Sequence, residues 1–74
     1  MTQDGAKRVM EVMARCQSGK ANKVDAELLG TISLDAEARG HWVICSTLYD
    51  AAEAIDNGDT LEALRLLNGM ELTA

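Results

Sequence analysis

From Leu34 to Asp56 the apolar side chains recur at helical spacing and, at 100° per residue, cover about half of the helix circumference. Leu34, Ala38, His41, Cys45, Leu48, Ala52 and Ile55 form one stripe, bordered by Trp42 and Tyr49 on one side and by Ile44 and Ala51 on the other. One short neighbouring helix cannot cover so wide a face. The pattern therefore predicts that a second chain covers part of it.

The same periodicity organises the rest of the chain. A first helix is expected from Asp4, as N-cap, to about Gln17, with Ala6, Val9, Met10, Met13 and Cys16 on one face and Ser18-Gly19 ending it. After the polar linker Lys20 to Asn22, Asn22 can cap a second helix of about two turns that carries Val24, Leu28 and Leu29, then Ile32, with Gly30 as its stop. Ser33 then caps the long third helix, and Asp35 and Glu37 in its first turn favour the helix dipole. Gly40 leaves three outcomes open: a kink, the end of a separate short helix at Arg39, or a close helix crossing.

Asn57-Gly58 followed by Asp59-Thr60-Leu61-Glu62 is a turn dipeptide and then an N-cap with glutamate three residues on, the pattern of a capping box. A fourth helix follows with Leu61, Leu64 and Leu67 together and Ala63, Leu66 and Met70 beside them, closed by Asn68-Gly69. Helices 3 and 4 should fold back as an antiparallel αα-hairpin. Residues 70–74 form a tail from which Met70 and Leu72 can dock.

The predicted fold is a single all-α domain spanning residues 1–74. It is a compact bundle of three to four helices with a long third helix and a C-terminal αα-hairpin, in which helices 1 and 4 pack on helix 3. Composition agrees: there is no proline to interrupt helices, and with no phenylalanine, one tryptophan and one tyrosine the core must come from Leu, Ile, Val, Met and Ala. A chain of 74 residues buries only roughly 60–65% of the surface its unfolded form exposes. A symmetric homodimer is the expected remedy for so thin a core.

Twelve acidic residues against seven basic give a net charge of −5, unevenly placed. Residues 1–34 sum to +1 and residues 35–74 to −6. The acidic half disfavours general binding of nucleic acid or of anionic membranes and suits a basic partner surface. Cys16 and Cys45 occupy apolar helical positions and read as buried reduced thiols, with a disulfide between them the lesser expectation. The polar start from Thr2 to Asp4 and the lack of an 18-residue apolar run predict neither a signal peptide nor a membrane span, hence a cytoplasmic location.

Chemistry-bearing motifs are sparse. His41 and Cys45, four apart, could share a metal from one helix, but two ligands do not make a site, and neither metal nor cofactor is expected. No triad ordering, Gly-rich phosphate loop or H-E-x-x-H is present, so no catalysis is expected. Aligning Gly58 with the invariant glycine of a calcium loop puts Ile55 where an oxygen ligand is needed. The Gly58-Asp59 turn between Ala-rich helices has the look of a helical repeat, but one hairpin is not an array.

Val24 to Val43 has some helix-turn-helix spacing, with Ala26 and Gly30 four apart before a turn at Thr31-Ile32. Its reading helix would carry Asp35 and Glu37 against phosphate, which is repulsive. Two features suggest function instead. Trp42 and Tyr49, seven residues apart, lie on one side of the third helix as interface anchors do, and Asp50, Glu53, Asp56, Asp59 and Glu62 gather at its acidic end.

The sequence thus predicts a small acidic regulator or inhibitor, bacterial or phage-borne, that acts stoichiometrically on a larger protein through Trp42, Tyr49, Asp50, Glu53, Asp56 and Asp59. The alternatives are an acidic nucleic-acid mimic of the phage anti-defence (anti-CRISPR-like) kind and a helix-turn-helix transcriptional regulator.

Overall fold

The computed structural model describes residues 2–70, which form four helices: α1 (Gln3–Gln17), α2 (Lys23–Ala38), α3 (Trp42–Asp56) and α4 (Thr60–Asn68). Three of the four begin on a side-chain cap. Thr2 Oγ1 accepts the Gly5 N–H at 3.0 Å and caps α1. Asp4, the expected cap, sits one residue inside the helix and pairs with Arg8 instead. Asn22 caps α2 as expected, accepting the Val24 N–H at 2.9 Å, and Asp25 closes a capping box by accepting the Asn22 N–H at 3.1 Å. Asp59 caps α4 by accepting the Glu62 N–H, but Glu62 turns to Arg65 rather than back to the cap.

The main departure from the sequence reading lies between residues 30 and 42. Gly30 does not stop α2, and Ser33 does not cap a new helix: α2 runs unbroken to Ala38, and the Ser33 hydroxyl, buried, donates to the Gly30 carbonyl at 2.7 Å. The reason is burial. Ala26, Leu29, Ile32, Ser33 and Ala36 keep one inward face through the glycine, and burying isoleucine alone stabilises by about 1.5–3 kcal/mol against the roughly 1 kcal/mol that a mid-helix glycine costs.

Of the three outcomes open at Gly40, the chain takes the break. Gly40 has φ +77°, its N–H donates to the Glu37 carbonyl, and the His41 N–H donates to the Ala36 carbonyl at 2.8 Å. These are the two bonds of a Schellman motif. The long third helix from Leu34 is therefore two helices, and the Thr31-Ile32 turn of the helix-turn-helix alignment is internal to α2.

Two faces also rotate. On α1 the inward set is Gly5, Val9, Val12 and Cys16, leaving Met10 exposed and Ala6 and Met13 half-buried. Both sets satisfy a 3–4 spacing. On α4, Ala63 and Leu67 point inward while Leu61 is exposed. The core joins all four helices, with Val9, Val12 and Cys16 from α1, Leu29 from α2, Leu48 from α3 and Leu67 from α4 fully enclosed. Met70 packs against it, while Leu72 lies outside the described residues.

α2 packs most extensively on α3, α3 on α4, and α4 on α1, with a light α1–α2 contact closing the circuit. Helix α1 thus leans on α4 rather than on α3. What pins it to α2 is an ion pair: Arg15 Nη2 lies 2.6 Å from Asp25 Oδ1, with Nε donating to the same oxygen at 2.7 Å.

Candidate functional site

Helix α3 has its core face satisfied within the chain: Leu48, Ala51, Ala54 and Ile55 are covered by α2 on one side and α4 on the other. The wide apolar face thus finds two neighbours rather than one. Outside that face lie Trp42 and Tyr49, 65% and 63% exposed. They are the only aromatic residues in the chain.

Two grooves flank this edge. Between α2 and α3, Ala26, Gly30 and Ala52 make a floor of small side chains, with Tyr49, Glu53 and Asp56 on the α3 wall. Leu34, exposed, stands one turn beyond Gly30 on α2, and Trp42 stands two turns before Tyr49 on α3, both displaced from the groove toward the Gly40 turn. Between α3 and α4, Asp50, Glu53, Asp59 and Glu62 line a second groove whose only base is Arg65.

That base is engaged: Arg65 bonds Glu62 and holds its carboxyl below the usual carboxylate range. Asp59 is likewise occupied in capping α4. Among the described residues no ion pair engages Asp50, Glu53 or Asp56.

The six residues singled out from sequence are therefore not one cluster. Tyr49, Glu53 and Asp56 face the α2 groove; Asp50, Glu53 and Asp59 face the α4 groove; Glu53 lies on the crest between them. Trp42 joins neither set and begins α3, about 21 Å of helix rise from Asp56 at its end. Sequence reasoning missed Gly30 and Leu34 because it ended a helix between them. Their signal was the unbroken Ala26–Leu29–Ala36 spacing, which requires one continuous helix.

His41 is the N-cap residue of α3 and makes no side-chain cap bond, while Cys45 is half-buried and Cys16 fully buried elsewhere. Among the described residues no three His, Cys, Asp or Glu side chains converge as a metal would require. No helix among them is long and apolar enough to cross a membrane. No protein-family model, curated protein or solved structure matches this chain.

Proposed function

We propose that this protein is a stoichiometric binder of another protein, a small regulator or inhibitor whose docking face is the Trp42–Tyr49 edge of α3 with the adjoining α2–α3 groove. The observation that carries the reading is the exposure of both aromatic rings. A thin core would gain most from burying its largest side chains, each carrying roughly 150–250 Å². Leaving them outside costs stability and suits an interface, where Trp and Tyr are the commonest anchors.

The chemistry of the partner follows from the surroundings. An apolar ridge or helix with small or aliphatic side chains fits over Ala26, Gly30 and Ala52, and flanking Lys or Arg meets Asp50, Glu53 and Asp56. Duplex DNA does not fit, since its phosphates would face those carboxylates.

Affinity capture on immobilised protein, with the parent beside Tyr49→Ala and Trp42→Ala, tests the proposal. Each variant should keep its helicity, because the ring it loses is exposed, and should bind the captured partner about 2 kcal/mol more weakly. Replacing Asp50 and Glu53 by Lys should slow association at low salt and less so at high salt. Captured proteins held equally by parent and both ring variants would overturn the proposal.

A further inference from the structure

The face of α1 turned away from the core is a second unpartnered surface of different character. Ala6, Met10 and Ala14 run along it at successive turns, with Gln3, Lys7 and Glu11 at its margins. Met10 is 58% exposed. Its other flank continues without a break into Met13 and, from α4, Leu64. Methionine at such a position is unbranched and adaptable, suited to packing against a copy of itself.

Charge decides what can cover this face. Each molecule carries −5, and the grooves beside α3 are dominated by carboxylates, so two copies meeting there would set acid against acid. The outer face of α1 carries one Lys and one Glu and is neutral. Two such acidic molecules can meet on this face with one lysine available for each glutamate.

The order of residues on the face is also symmetric about its centre. Counted from Met10, Ala6 and Ala14 lie four residues to either side, and Gln3 and Gln17 seven. We infer that two copies of this chain associate through α1, antiparallel, about a twofold axis at Met10, with Ala6 of each copy against Ala14 of the other. At 100° per residue Lys7 and Glu11 project from the same flank of the helix. A twofold axis at Met10 keeps that flank in common and brings Lys7 of each copy to within about 3 Å, in axial height, of Glu11 of the other, so that the two Glu11 side chains sit side by side at the centre, flanked by the two lysines. Two intermolecular ion pairs then fix the register. The dimer seam lies on α1, so both aromatic edges on α3 remain open to partners.

Sedimentation velocity over a concentration series, with a charge swap, tests the inference. The parent should pass from monomer to dimer as concentration rises. Met10→Glu should remain monomeric while melting like the parent, because Met10 is outside the core, and Ala14→Glu should do the same by a second route. Lys7→Glu or Glu11→Lys alone should raise the dissociation constant about tenfold, and the two together should restore it. Tyr49→Ala should leave dimerisation unchanged, which separates this inference from the docking proposal. A parent that stays monomeric at several hundred micromolar, a Met10→Glu protein that still dimerises, or a double swap that rescues nothing would overturn it.

Discussion

Asp25 is the residue whose role is least visible from its neighbours in sequence. Its side chain is only 4% exposed, yet it carries a charge, and two partners make that tolerable: the Asn22 N–H and the Arg15 guanidinium. The two ends of the pair are unequal, because Arg15 remains 40% exposed. Arg15→Met should strand a buried carboxylate and cost about 3 kcal/mol, the low end for a buried pair since the lost partner is partly in water. Asp25→Ala should cost about 1 kcal/mol, chiefly the lost cap, because the freed guanidinium can hydrate. Urea melts of the two variants measure the difference, and equal losses would contradict the asymmetry. Beside this pair, Cys16 is 1% exposed, and its thiol is pushed up mainly by burial and further by Asp25, with Arg15 opposing. Alkylation should therefore modify half-buried Cys45 first and reach Cys16 only as the protein unfolds.

At the scale of elements, glycine decides where helices end, and the distinction between one glycine and another is tertiary. Gly19, Gly40 and Gly58 each hold φ between +72° and +79° and follow the last turn of α1, α2 and α3. In each motif the next residue's N–H reaches back to close the helix, as in Lys20 to Arg15, His41 to Ala36 and Asp59 to Ala54. Gly30 has no such conformation, and a Cβ built there meets nothing within 4 Å. Gly30→Ala should therefore stabilise the fold by about 0.5–1 kcal/mol, and Gly40→Ala should destabilise it by about 1–2 kcal/mol. Thermal melts of both variants test the contrast, and a loss at both positions would contradict it. Local sequence announces the ends at Gly19 and Gly58 through Ser18 and Asn57. It does not separate Gly30 from Gly40, because His41 offers α3 no side-chain cap and Ser33 imitates one. Only the inward spacing of Leu29, Ile32 and Ala36, summed over the helix, resolves them.

In the whole molecule four helices share one core, and α3 is its hub because it is covered from both sides. Leu48 is fully buried there, and Leu48→Ala should cost roughly 2–5 kcal/mol, a large part of what a domain this small has to lose. The all-helical class, the pairing of α3 with α4 and the Leu48 centre were legible from periodicity and turn residues. On α1, Val9 and Cys16 were legible as inward residues but the rest of the face was not, because Gly5 and Val12 on one side of them and Ala6, Met10 and Met13 on the other each complete an acceptable helical stripe. For the candidate site, the helical spacing that sets Trp42 and Tyr49 on one side of α3 could be read directly, whereas whether the two rings lay in the core or outside it could not, and the division of the acidic residues between an α2 groove and an α4 groove depended on where α2 ended. On the docking proposal, the Trp42–Tyr49 edge is open in the isolated protein and becomes covered when a partner with basic flanks binds. Trp42 is the chain's single tryptophan, so 5-fluorotryptophan labelling gives one fluorine NMR resonance to follow as the captured partner is added. That resonance should start solvent-sensitive and should shift and lose its sensitivity to solvent isotope as the complex forms. A complex that forms while the Trp42 resonance keeps its position and solvent response would contradict the claim.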